Sequence, residues 1–151
     1  PCLVDPKGRD FARYAGATLL TPNTAELAEA TGLAAREDAD CEAACRAVLA
    51  DAAVEAVLAT RSERGMMLVR RDRPALAVPA MEVFDVSGAG DTVIATLAVA
   101  LAAGHPVENA MRAANAAAGV VVGKLGTATC SAAELDHALR EAEGATGEVL
   151  P

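Results

Sequence analysis

Short apolar runs alternate with amphipathic stretches along nearly the whole chain, which limits it to folds where strands lie side by side beneath covering helices. Cys2–Asp5, a turn through Phe11 and Tyr14, and Ala17–Leu20 predict strand, short helix, strand. After Thr21-Pro22, the run Asn23-Thr24-Ala25-Glu26 has a polar cap residue followed three positions later by Glu, which announces a helix ending near Gly32. Asp38–Ala52 puts Ala44, Val48 and Leu49 on one helical face, and Ala56–Thr60 predicts a buried strand. From Gly65 to Ala80, two apolar runs flank the basic turn Arg70–Pro74, a hairpin signal that implies an antiparallel edge. Glu82–Asp85 predicts one more strand. The next helix is apolar nearly all round to Ala103, and is expected in the middle of the fold. Pro106 opens a helix from Val107 to about Val122, Ser131 caps a last one through Leu135 and Leu139, and Gly144–Pro151 reads as a linker. The expected class is α/β with a mostly parallel sheet.

With 151 residues, 53% of them hydrophobic, the chain can build a core, but it holds only two Phe, one Tyr and no Trp. With Phe11, Tyr14 and Phe84 as the only aromatics, the core must be aliphatic and base-stacking platforms are nearly absent. Acidic residues number 21 against 13 basic, and the net charge of -8 has the wrong sign for tracking a phosphate backbone. No nucleic-acid partner is expected. The longest mostly apolar stretch, Val93–Ala103, falls well short of the roughly 20 residues that span a bilayer, so no membrane partner is expected. The opening Pro1-Cys2-Leu3-Val4-Asp5 has no initiator Met and no leader pattern, and reads as a strand already under way in a piece of a longer protein. A strand lacking its neighbour there predicts association or poor solubility. Cys2, Cys41, Cys45 and Cys130 could pair on paper, but Cys41 and Cys45 sit four apart on a predicted helix and the others are isolated, so they read as reduced core thiols and a cytoplasmic location is expected.

The chemistry concentrates in Ser87-Gly88-Ala89-Gly90-Asp91-Thr92, between a predicted strand and a helix. Small residues there expose N–H groups at the positive end of the helix dipole, a design that faces phosphate; a plain tight turn with Asp91 as a first-turn acid is the blander alternative. The dinucleotide fingerprint fails because Val93 replaces its third glycine, and a Walker loop is out because Gly123-Lys124 is followed by Leu125. His105 and His137 have no ligand partner nearby in sequence, and Lys124 sits where a cation suits a helix C-terminus.

Asp85-Val86-Ser87-Gly88-Ala89-Gly90-Asp91-Thr92 resembles the second signature of the ribokinase-like (PfkB) carbohydrate kinases. Asn23-Thr24-Ala25-Glu26 falls where that family carries Asn-x-x-Glu, and Thr60-Arg61-Ser62-Glu63-Arg64-Gly65 falls where it carries Thr-x-Gly-x-x-Gly. Within the family, Val4–Gly8, Gly16–Asn23, Thr60–Glu63 and Asn115–Thr127 are similar to the kinase domain of bifunctional heptose 7-phosphate kinase and heptose 1-phosphate adenylyltransferases.

The resemblance implies a three-layer α/β/α fold with a β-hairpin edge, of which residues 1–143 would be the C-terminal, nucleotide-binding half and 144–151 a tail. It implies Asp91 as the base that takes the sugar hydroxyl's proton, with the N–H groups of Gly88, Ala89 and Gly90 as the anion hole for the moving phosphate. Asn23, Thr24, Ala25 and Glu26 would organise Mg²⁺ and the ATP phosphates, Glu26 through metal-bound water, although the same residues make a capping box. Thr60, Ser62 and Gly65 would lie beside the nucleotide phosphates, Ser62 standing where the wider family commonly has Gly. Asn115 and Ala118 fall where the family's helix passes the adenine, and small residues there also suit close helix packing.

The implied reaction moves the γ-phosphate of ATP to the C1 hydroxyl of D-glycero-D-manno-heptose 7-phosphate, on the route to ADP-heptose and lipopolysaccharide, in a protein that is a homodimer at full length. The chain by itself is expected to be inactive. Alternatives are the same fold with ribose, fructose phosphate or a nucleoside as acceptor, and a nonenzymatic nucleotide-binding module.

Overall fold

The computed structural model describes residues 1–80, 89–124 and 128–146, which fall into two compact units, Pro1–Pro79 and Ala80–Pro151. In the first, five strands form one sheet in sequence order: β1 (Leu3–Val4), β2 (Leu19–Leu20), β3 (Ala56–Thr60), β4 (Met66–Arg70) and β5 (Leu76–Val78). β1, β2 and β3 run parallel, with Leu3 opposite Leu19 and Leu20 opposite Val57. β4 and β5 continue the sheet antiparallel, Val57 facing Val69 and Met67 facing Ala77, so the basic turn after Arg70 closes the expected hairpin edge.

The residue order of β3 explains its central place. Ala56-Val57-Leu58-Ala59 is uncharged and buried throughout, the pattern of a strand covered on both faces. Two helices pack on this sheet, α1 (Thr24–Thr31) and α2 (Asp38–Asp51). α2 buries Cys41, Ala44, Cys45, Val48 and Leu49, the stripe expected from 3.6-residue periodicity, into a cluster with Phe11, Leu20, Leu27, Val57, Ala59, Met67 and Val69. The aliphatic core inferred from composition is therefore what fills this unit, with Phe11 its one aromatic. The cysteines divide: Cys41 and Cys45 are buried on α2 in the core, whereas Cys2, next to the start of the chain, is exposed and Cys130, in the connection between two helices, is half-buried. Hydrogen bonding to Cys41 and burial push the Cys45 thiol up, so it stays protonated.

The second unit contains α3 (Ala89–Ala102), α4 (Val107–Val122) and α5 (Ala132–Thr146), with α4 packed against both α3 and α5. α4 is the buried one, enclosing Ala110, Met111, Ala114, Asn115, Ala117 and Val121. The sequence places α3 in the middle of the fold, and the structure corrects this: only Val93 and Leu97 are buried, while Ala95, Ala98 and Ala102 are exposed and Val99 is 72% exposed. An apolar composition makes burial possible, but only the stripe that meets a neighbour loses water. The strand expected over Glu82–Asp85 lies outside the described residues.

Ser131 caps α5 as the sequence predicts. Its hydroxyl accepts from Glu134 N at 3.3 Å, Glu134 Oε2 accepts from Ser131 N at 2.9 Å, and Lys124 Nζ reaches Glu134 Oε1 at 2.6 Å. Lys124 thereby ties the end of α4 to the start of α5. These bonds, the one to Lys124 first, hold the Glu134 carboxyl far below the usual carboxylate range, at about 2. A depressed folded-state value means that ionised Glu134 stabilises the fold at neutral pH, and that this contribution is lost as pH falls from the ordinary carboxylate range through about 2. The stability gap between the parent and Glu134→Gln, followed by denaturant melts, is accordingly expected at pH 7 and should close on acidification through that window. A gap independent of pH would rule out the carboxylate as its source. α5 extends to Thr146, past the Gly144 where the tail was expected to start, and 147–151 lie outside the described residues.

Candidate active site

The C-terminal ends of the three parallel strands point the same way, and in open α/β sheets this is the edge where ligands bind. β1 ends in Asp5-Pro6-Lys7-Gly8, β2 in Thr21-Pro22-Asn23, and β3 in Thr60-Arg61-Ser62. Asn23 and Thr60 form a parallel bridge, with Thr60 N donating to Pro22 O at 2.9 Å, so the Asn-x-x-Glu segment and the Thr60 loop are brought side by side. The structure thus gathers Asn23, Thr24, Ala25, Glu26, Thr60, Ser62 and Gly65 at one edge of one sheet.

Local chemistry fixes each of them. Asn23 Oδ1 accepts from Glu26 N at 2.9 Å and Glu26 Oε2 accepts from Asn23 N at 2.8 Å, a capping box that sets the entry of α1. The cap uses only one carboxylate oxygen of Glu26. The other, Oε1, lies 2.5 Å from Lys7 Nζ, and the same ammonium stands 3.1 Å from Asp5 Oδ2 and 3.3 Å from Asp5 Oδ1. Hydrogen bonds from Lys7 to Glu26 and then Asp5 raise the lysine above its ordinary value, so the ammonium stays charged.

In the Thr60 loop, Ser62 takes a left-handed φ of 50°, a conformation that costs glycine little and gives a physical reason for the Gly that the wider family commonly has there. Gly65 follows at φ 76° and ψ -128°, and its carbonyl accepts from Arg61 N at 2.8 Å, closing the loop back onto the strand end. The Arg61 side chain is 2% exposed and its guanidinium pairs with Asp38 at the start of α2. Its Nε is buried with no hydrogen-bond partner among the described residues.

Sequence reading named neither Asp5, Lys7 nor Arg61 as site residues. The signal present is position: Asp5 and Arg61 directly follow β1 and β3, and Lys7 lies three residues past the end of β1.

The other expected site residues belong to the second unit. Ala89, Gly90 and Asp91 form the first turn of α3, with Asp91 exposed and so open to a ligand. Gly88 lies outside the described residues. Asn115 is buried on α4, 8% exposed, and Ala118 is half-buried one turn on, so both face one side of that helix.

Comparison with known proteins settles the family, because the model of the pfkB family carbohydrate kinases matches residues 1–134. The chain belongs to that family. It is 59% identical over 125 residues to the Bifunctional protein HldE of Rhodospirillum rubrum, an alignment covering 82% of this chain and 25% of that protein. It is 62% identical over 122 residues to the Bifunctional protein HldE of Gluconacetobacter diazotrophicus, covering 80% of this chain and 25% of that one. The chain therefore spans about a quarter of the length of these curated relatives. Among solved structures, Arabidopsis thaliana ribokinase complexed with ribose and ATP superposes with a TM-score of 0.83 at 25% identity, over 93% of this chain and 47% of that one. Thermotoga maritima ribokinase gives a TM-score of 0.79 at 26% identity, over 91% and 48%. The fold is ribokinase-like, in agreement with the sequence reading.

Two groups implied for a pfkB kinase can be tested against the residues. A divalent cation of Mg²⁺ type prefers oxygen ligands and is commonly held by one or two carboxylates together with phosphates and water. Three oxygens of Asp5 and Glu26 already surround a single cationic atom, so the donor set fits. For a nucleotide, the strand-end loops offer the side-chain hydroxyls of Thr60 and Ser62. Among the described residues, no helix is long and apolar enough to cross a membrane.

Proposed function

We propose that this chain supplies the nucleotide-binding and catalytic-base portion of an ATP-dependent sugar kinase whose acceptor is the C1 hydroxyl of D-glycero-D-manno-heptose 7-phosphate, on the route to ADP-heptose for lipopolysaccharide. The observation that carries the kinase reading is the convergence of the Asn23–Glu26 and Thr60–Gly65 loops at one sheet edge in a chain of the pfkB family. The acceptor rests on the similarity of Val4–Gly8, Gly16–Asn23, Thr60–Glu63 and Asn115–Thr127 to heptose kinases, and the HldE relatives at 59% and 62% identity support that branch over ribokinases at 25% and 26%.

In this mechanism Asn23, Thr24, Ala25, Thr60, Ser62 and Gly65 hold the ATP phosphates, while Asn115 and Ala118 flank the adenine. Glu26 with Asp5 would hold Mg²⁺, which when bound neutralises charge on the phosphate oxygens. The acceptor oxygen bonds to the γ-phosphorus as the bond to the ADP oxygen breaks, and the hydroxyl proton passes to Asp91. Because the transition state is loose and the proton leaves late, holding the hydroxyl in line matters more than the strength of the base. N–H groups of Gly88, Ala89 and Gly90 at the start of α3 meet the charge on the moving phosphoryl oxygens, a role worth on the order of 10² to 10³ in rate. The protein would work in the cytoplasm, as a homodimer at full length.

The test is calorimetric titration with a nonhydrolysable Mg-ATP analogue and with NAD, followed by phosphorylation assays on the natural polypeptide carrying this sequence. Saturable binding of the analogue without NAD binding, and a preference for heptose 7-phosphate over ribose and fructose 6-phosphate, are expected. NAD binding by a folded chain that ignores the analogue would overturn the kinase reading, and a preference for ribose would overturn the acceptor.

A further inference from the structure

Lys7 combines a fixed backbone with an exposed side chain. Its backbone is pinned: Lys7 N donates to Tyr14 Oη at 3.0 Å, Tyr14 Oη donates to Lys7 O at 3.2 Å, and Pro6 before it is buried. Its side chain is 66% exposed, yet the ammonium touches three oxygens of Asp5 and Glu26, Glu26 itself being only 15% exposed. Exposed lysine–carboxylate pairs are usually worth little and are held loosely. Here one ammonium is shared by two carboxylates, at the position that a divalent cation held by the same oxygens would take.

We propose that Lys7 is a displaceable stand-in for the metal: it neutralises Asp5 and Glu26 while the nucleotide is absent, and swings onto a nucleotide phosphate oxygen when the metal arrives with its nucleotide. A free divalent cation must expel the ammonium into water, with no new anion to receive it. A metal–nucleotide complex brings the anionic oxygens that receive it. Lys7 therefore couples metal binding to nucleotide binding and disfavours a metal-loaded site without substrate. The inference rests on the reading of Glu26 as a metal-holding carboxylate.

Mn²⁺ replaces Mg²⁺ as the probe, its binding followed by electron paramagnetic resonance on the full chain, alone and with a nonhydrolysable ATP analogue. Lys7→Met keeps an unbranched side chain only one atom shorter and removes the charge. It should bind free Mn²⁺ about tenfold more tightly than the parent and Mn²⁺ with the analogue about tenfold more weakly, the size expected for one unit charge within a few ångströms near a surface. Lys7→Arg should keep the parent's weak affinity for free Mn²⁺. A role in folding alone would not move the two affinities in opposite directions. Unchanged free Mn²⁺ affinity in Lys7→Met overturns the proposal. The underlying reading fails separately: if Glu26→Gln leaves the affinity for Mn²⁺ with the analogue unaltered, Glu26 does not hold the metal, whatever Lys7 does.

Discussion

Asp91→Asn is expected to lower the rate of phosphoryl transfer by on the order of 10² to 10⁴ while leaving nucleotide affinity and folding nearly intact. The change is nearly isosteric and the residue is exposed in the first turn of α3, so no core contact is lost. On the proposed mechanism, what disappears is the acceptor for the hydroxyl proton, equivalent to about 3 to 5 kcal/mol of transition-state stabilisation. The competing role is that of a first-turn acid complementing the helix dipole, worth about 0.3 to 1 kcal/mol of stability and nothing in rate. The two are told apart by initial rates and thermal melts on the same preparation of the natural polypeptide. A large fall in kcat with an unchanged melting temperature assigns Asp91 to the chemistry. A small fall in melting temperature with full activity returns it to the helix.

Asn23 and Glu26 show how far sequence could go at this site, because the pattern read as a capping box is one. Being a cap does not remove Glu26 from a ligand's reach: one carboxylate oxygen serves the helix and the other faces Lys7. Local spacing made the first bond legible and could not reveal the second, which joins residues 19 apart through the parallel pairing of β1 and β2. Arg61 was hidden for the opposite reason. An arginine after a strand suggests a solvated side chain, and only the return of α2 beside β3 encloses it and supplies Asp38. For α3, composition misled, since Val99 and its alanine neighbours are as apolar as buried residues and yet are exposed among the described residues. Periodicity worked best where one element decides its own partner, as in the buried stripe of α2 and the hairpin of β4 and β5.

Leu20→Ala is expected to cost about 2 to 5 kcal/mol, the range for truncating a fully enclosed leucine. Leu20 is 0% exposed, and packs in the cluster that includes Phe11, Leu27, Val48 and Val57. β2 is only two residues long, so Leu20 is half of the strand that joins β1 to β3. At roughly 2 to 4 °C per kcal/mol for a chain of this size, the melting temperature should fall by on the order of 4 to 20 °C. Val99→Ala, at a position 72% exposed, provides the comparison and should change stability by less than about 0.5 kcal/mol. The consequence reaches the site because β2 delivers Thr21-Pro22-Asn23 to the ligand edge. Below its own melting range the variant should therefore bind the ATP analogue more weakly, with Asn23 and Thr60 held less firmly side by side. Denaturant melts and calorimetry on Leu20→Ala measure both effects. A loss under 1 kcal/mol with unchanged binding would mean that β2 is not the element holding the candidate site in place.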